Sequence, residues 1–236
     1  MPTRLAGAVI DCEQDHAGLA RWWGGVLGWP VVSSPAGETV LAPSAGAPGV
    51  ELVFGSAPEP KSGWNRIHFD LQAVDPPARV AQLEALGARR IELDVERPWF
   101  VLQDPQGNEF CVLRHWDGYD GRGSIAAITV QAREPLPLAQ FWAQAVGGAV
   151  MVGSEHVTAL DPGSGPLIQF VRSAAPKIVK NRIHLDVRPF AGDDPEAEAK
   201  RLLARGARPA DVGQSGAEPW VVLADPEGNE FCVLDP

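Results

Sequence analysis

The chain contains no apolar run approaching the roughly 20 residues that a helix needs to cross a bilayer, so no membrane-spanning helix is expected. Its first residues, MPTRLAGAVIDCEQDH, lack both the sustained apolar core and the small-residue cleavage site of a secretory leader. Cysteine is scarce. Cys12, Cys111 and Cys232 are odd in number and far apart, which argues against a disulfide framework and fits reduced thiols in a cytoplasmic protein. Positive charge is also in deficit, with 20 Lys and Arg against 30 Asp and Glu and a formal net charge of −10. Nucleic acid is therefore not an expected partner, because binding phosphates needs a basic surface. Walker loops, dinucleotide fingerprints, G-x-S-x-G elbows and CxxC pairs are all missing, which removes the usual signs of nucleotide, serine-hydrolase and thiol-redox chemistry. What remains is an ordinary globular composition, 45% hydrophobic and 21% charged over 236 residues, long enough for one or two domains.

The strongest feature present is an internal repeat. Asn65-Arg66-Ile67-His68-Phe69-Asp70-Leu71 returns as Asn181-Arg182-Ile183-His184-Leu185-Asp186-Val187. Asp104-Pro105-Gln106-Gly107-Asn108-Glu109-Phe110-Cys111 returns as Asp225-Pro226-Glu227-Gly228-Asn229-Glu230-Phe231-Cys232. Leu19-Ala20-Arg21-Trp22-Trp23 matches Leu138-Ala139-Gln140-Phe141-Trp142 in the same order along the chain. A duplicated unit explains this, and the polar, Gly-rich stretch from Arg114 to Gly123 divides it into domains spanning 1–120 and 121–236.

Each copy reads as two rounds of strand, helix and three strands. In the first copy Leu5–Asp11 is β-prone, and Ala17–Leu27 has helical apolar spacing with a Gly28 stop. Arg66–Leu71 begins the second round, a helix follows over Pro77–Leu86, and Asp104-Pro105-Gln106-Gly107 turns between the last two strands. The fold class expected is α+β, with βαβββ units paired into cup-shaped mixed sheets.

Strand alternation puts Arg66, His68 and Asp70 on one face, and Arg182, His184 and Asp186 likewise. A His beside an Asp suits acid–base work, and it equally suits ligand contact or an ion pair between strands. Trp99 and Trp220 open a strand just before the hairpin, where they could floor an apolar pocket or pack in a core. Glu109 and Glu230 follow the hairpin glycines and join the candidate ligand contacts.

The repeated H-x-D strand and D-P-x-G-N-E-F hairpin resemble the vicinal oxygen chelate superfamily, in its glyoxalase/bleomycin-resistance branch of tandem glyoxalase-like domains. The resemblance implies a small-molecule ligand, and metal-dependent members imply a divalent ion held by four strand positions. Those positions fall on Ala8 and Ala127, on Glu51 and Leu167, on His68 and His184, and on Cys111 and Cys232. The implied metal set is incomplete, leaving Glu51, His68 and Cys111 as its best remnant. The resemblance therefore implies a protein that sequesters a drug or metabolite in an aromatic-lined cup. Its alternatives are a lyase or isomerase using His68 or His184 as acid/base and, behind it, a metal-dependent dioxygenase. The two domains are expected to pair within a monomer or to form a homodimer.

Overall fold

A computed structural model describes residues 3–34, 37–57, 59–215 and 218–236. Four βαβββ units follow one another. The first comprises β1 (Arg4–Cys12), α1 (His16–Leu27), β2 (Val31–Ser33), β3 (Glu38–Leu41) and β4 (Glu51–Ser56). The second comprises β5 (Ile67–Ala73), α2 (Pro76–Ala85), β6 (Arg89–Ile91), β7 (Phe100–Gln103) and β8 (Glu109–Arg114). The third comprises β9 (Ile125–Ala132), α3 (Pro135–Val146), β10 (Ala149–Val152), β11 (Val157–Asp161) and β12 (Leu167–Arg172). The fourth comprises β13 (Ile183–Arg188), α4 (Pro195–Leu203), β14 (Arg208–Pro209), β15 (Trp220–Ala224) and β16 (Glu230–Leu234).

Three of the four helices start where an aspartate caps them, and α3 starts at Glu134 without a side-chain cap. Asp15 and Asp75 accept hydrogen bonds from Gly18 N and Ala78 N, and Asp194 accepts from Glu196 N. Helix α1 ends at Gly28, whose φ of 71° is the left-handed cap that glycine adopts without strain. None of the four is long and apolar enough to cross a membrane.

The units combine into two eight-stranded sheets, and they do so across the copies. One sheet runs β14-β15-β16-β13-β1-β4-β3-β2 and joins the first unit to the fourth. The other runs β10-β11-β12-β9-β5-β8-β7-β6 and joins the third to the second. Antiparallel pairs β1/β13 and β5/β9 form the seams, while the last strand of each unit lies beside its first and parallel to it. The two copies are thus stitched together within one chain. Each sheet's open face draws on both copies, and neither copy closes a cup by itself.

The core lies on the helix side. Alternate residues of every central strand point into it: Ala8, Ile10 and Cys12 from β1, Leu52 and Phe54 from β4, Ile67, Phe69 and Leu71 from β5. Trp23 from α1 meets Phe69 and Phe110 edge-on at 5.6 and 5.2 Å, and Trp142 from α3 meets Phe231 at 5.3 Å. Each tryptophan also reaches a buried carboxylate: Trp23 Nε1 donates to Asp104 at 3.1 Å and Trp142 Nε1 to Asp225 at 3.2 Å. Asp104 additionally accepts from Gln106 N, Asn108 N and Asn108 Nδ2, each at 2.9 Å. Asp225 repeats the arrangement with Glu227 N, Asn229 N and Asn229 Nδ2.

Removing either carboxylate strands several buried donors at once. Asp104→Ala and Asp225→Ala should each destabilise the fold by about 3 kcal/mol or more in urea unfolding. A loss below about 1 kcal/mol would mean that water replaces the carboxylate readily.

Candidate functional site

Because side chains alternate, the faces turned away from the core collect the polar residues of the repeat. On the first–fourth-unit sheet, β13 presents His184, Asp186 and Arg188, β16 presents Cys232, and β15 presents Trp220 and Val222. From the first copy β1 adds Gly7, Val9 and Asp11, β4 adds Glu51 and Val53, and β3 adds Glu38 and Val40. These residues enclose a cavity of about 460 Å³.

Glu51 therefore belongs with His184 and not with His68. Gly7 pairs with Glu51 on one side and with Asp186 on the other, bringing the two carboxyl groups to the same region of the sheet. The remnant set of Glu51, His68 and Cys111 is not assembled, since Glu51 and His68 lie on different sheets. The first-strand position is also shifted by one residue. Ala8 is fully buried in the core, and Gly7 is the residue level with Glu51 on the cavity side. A Cβ on Gly7 would stand 2.7 Å from the Glu51 carbonyl oxygen, so the two strands would have to shift apart to admit a side chain.

Within the cavity, His184 Nε2 lies 3.5 Å from Cys232 Sγ and 3.6 Å from Asp186 Oδ1. Burial drives the His184 pKa down to about 4, helped by the positive charge of Lys180, so the ring is neutral at pH 7. Burial also raises the Asp186 carboxyl to about 7 and pushes the Cys232 thiol far above its ordinary range. The His184–Asp186 contact therefore joins a neutral ring to a carboxyl that is about half ionised at pH 7, and is not a salt bridge. Asp186 Oδ1 and His184 Nδ1 are buried without any hydrogen-bond partner.

The opposite sheet carries the same triad in a different state. His68 Nε2 stands 3.4 Å from Asp70 Oδ1, with Cys111 beside them. Here Thr129, which occupies the place of Val9, donates to Asp70 Oδ2 at 2.6 Å. The chain joining the copies then folds onto this face. Tyr119, only 7% exposed, clusters with Ala126, Ala127 and Leu167, with Leu113 packed against them. Its hydroxyl accepts from Gln169 Nε2 at 3.1 Å, its carbonyl accepts from Gln72 Nε2, and Trp116 stacks on its ring edge-on. Arg122 anchors the segment through a two-pronged contact with Asp161 at 2.6 and 2.7 Å.

Other expected contacts have structural partners. Glu109 binds Lys61 at 2.8 Å and accepts from Asn65 N, and Glu230 does the same with Lys177 and Asn181 N. Arg66 donates to Asn229 Oδ1 and to the carbonyls of Ala175 and Gln131, tying the first copy to the second. Arg182 donates to the Glu59 carbonyl. Trp220 reaches the cavity, whereas Trp99 precedes its strand and lies under the Arg97 guanidinium. A larger cleft of about 890 Å³ separates the loops before β5 and β13. Its three lysines, Lys61, Lys177 and Lys180, are each paired with a carboxylate.

Several of these residues carry little signal in the sequence. Tyr119 lies in the Gly-rich stretch between the copies, and Glu38 and Val9 only become site residues once β1 is known to pair with β13. The triads bring His, Asp and Cys ligand atoms within 4.8 Å of one another, close enough to surround a small cation. The four-position metal arrangement that the resemblance implies does not fit, however. Its first position is Gly7 or Ala127, and its second is Leu167 on the Tyr119 side.

The two shifted groups pull stability in opposite directions. A raised Asp186 pKa makes the fold lose stability as pH rises from about 4 to about 7. A lowered His184 pKa makes it gain stability as pH rises from about 4 towards 6.5. Asp186→Asn removes the first slope and leaves the second. Its melting temperature relative to the parent should therefore climb by several degrees between pH 4 and pH 7 and then level off. A pH-independent difference would place Asp186 in contact with water. Tyr119→Ala should cost about 3 kcal/mol in urea unfolding, as expected for emptying a packed aromatic site.

A glyoxalase-like domain family model matches residues 7–113 and again residues 127–234. No curated protein matches the chain. Among solved structures, glyoxalase I from Zea mays superposes with a TM-score of 0.67 at 13% identity, covering 99% of this chain and 92% of that one. A putative dioxygenase from Bacillus subtilis gives a TM-score of 0.66 at 13% identity, covering 99% and 86%. At that identity the likeness is one of fold. With both copies matched and two mixed sheets built from βαβββ units, the chain belongs to the glyoxalase-like domain family as a tandem pair.

Proposed function

We propose that the chain binds a small molecule in the cavity of the first–fourth-unit sheet, while the equivalent face of the other sheet serves as structure. The observation that carries this reading is the contrast between the two faces. One is packed by Tyr119 and its polar groups are satisfied, whereas the other has a cavity of about 460 Å³ and buried polar atoms without partners. Such volume, with apolar walls and a few convergent polar groups, is typical of ligand sites. Val9, Val40, Val53, Val222 and Trp220 supply the apolar surface, and Asp186 and His184 supply the hydrogen-bonding groups. This is the sequestering role expected of an aromatic-lined cup, with Trp220 as its aromatic.

One observation favours a second reading, a lyase or isomerase. Proton transfer is most effective when the group's pKa lies near the working pH, and Asp186 at about 7 meets that condition better than His184 at about 4. On this reading Asp186 moves the proton and His184 orients the substrate. Any turnover should then vanish in Asp186→Asn while substrate still binds.

The binding reading is tested by a thermal-shift screen of small molecules against the parent and Val53→Trp, which fills the cavity. Stabilising compounds should lose their effect in Val53→Trp and keep it in Val31→Trp, a change at an exposed position. Compounds indifferent to Val53→Trp would overturn the assignment. Elemental analysis of protein purified without added metal should find well below one transition-metal ion per chain. A tightly held ion would move the reading towards metal-dependent chemistry.

A further inference from the structure

Resting on the reading of this cavity as the binding site, we infer that its occupant is an organic cation, a protonated amine carrying an apolar body. Six carboxyl side chains line the cavity, Asp11, Glu38, Glu51, Asp186, Glu218 and Glu230, against the two cationic side chains of Lys180 and Arg188. Lys180 is paired with Asp11, Glu230 with Lys177, and Glu218 accepts hydrogen bonds from Ser215. Glu38, Glu51 and Asp186 then face the space with Arg188 to offset one of them.

Asp186 gives the acidic face a defined anchor. It is 5% exposed, and its Oδ1 accepts no hydrogen bond. The counterpart Asp70 takes a donor from Thr129 on its Oδ2, but Val9 stands at that place beside His184 and offers none. A buried acceptor left in this condition is costly until a donor reaches it. An ammonium group brings three donors and a positive charge, matching both the vacant acceptor and the carboxylates of Glu38 and Glu51. Trp220, 38% exposed on the cavity wall, adds an electron-rich ring face that attracts cations. The valines of β1, β3, β4 and β15 leave room for the ligand's hydrocarbon part. An anionic ligand would meet repulsion from every unpaired carboxylate.

Titration calorimetry with three molecules of one shape tests this: 4-phenylbutylamine, 4-phenylbutan-1-ol and 4-phenylbutyrate. The amine should bind at least about tenfold more tightly than the alcohol, the scale of a close charge pair, and the carboxylate most weakly. Added salt should narrow the gap. The double variant Glu38→Gln/Glu51→Gln, at two half-buried positions, should bring the ratio of amine to alcohol affinity close to one, with circular dichroism confirming the fold. An amine no tighter than the alcohol, or a preference that survives the double variant, would overturn the cationic assignment and leave the cavity reading standing. If none of the three binds in a manner blocked by Val53→Trp, both readings fall.

Discussion

A carboxylate shut away from water must take its hydrogen bonds from the protein, and Asp104 and Asp225 each take four. The donors come from two directions: three from the hairpin that the aspartate begins, and one from a tryptophan on a helix of the preceding unit. One side chain therefore closes a turn and fixes the helix above it. Burial alone would drive such a carboxyl towards its protonated form, and the convergent donors oppose that. The hairpin asparagine extends the network, since Asn108 accepts from Asn65 and Asn229 from Asn181. The adjoining Glu109 and Glu230 hold the chain entering β5 and β13. The strands that carry the two histidines are positioned through these contacts.

That network is nearly the same in both copies, so the difference between the two open faces arises elsewhere. It comes from a few substitutions that are individually modest: Val9 against Thr129, Glu51 against Leu167, Gly7 against Ala127. Thr129 completes the shell of Asp70, and Leu167 and Ala127 give Tyr119 an apolar seat. On the other sheet Val9 leaves Asp186 short of a donor, and Glu51 adds charge where Leu167 adds packing surface. Duplication supplied two equivalent faces. The segment joining the copies covers one of them, and only the other is left with a cavity.

The sheet seams carry a further consequence. Glu51 in the first copy and Asp186 in the second face the same cavity because both flank Gly7 on β1. At Gly7 the close approach of β4 means that a side chain would push the strands apart, whereas Ala127 holds a Cβ at the equivalent place in the other sheet.

Most of the architecture could be read from the residues alone. The doubled motifs established the duplication, and helical and two-residue periodicities located β1, α1, β5 and α2 to within two residues, because these are local properties of the chain. Alternation likewise placed His68 with Asp70 and His184 with Asp186 on shared faces. The pairing of units was beyond such reading. β1 joins β13 and β5 joins β9 through backbone hydrogen bonds that carry no sequence signature, and the partners in the first case are separated by most of the chain. That choice moved Glu51 from the company of His68 to that of His184. It also shifted the first-strand position from Ala8 to Gly7 and turned a linker tyrosine into a core residue. The sequence by itself determined the units and the chemistry available to them. Only the tertiary structure decided which of those groups share a cavity, because long-range strand pairing and burial set which side chains meet and which of them are left without a partner.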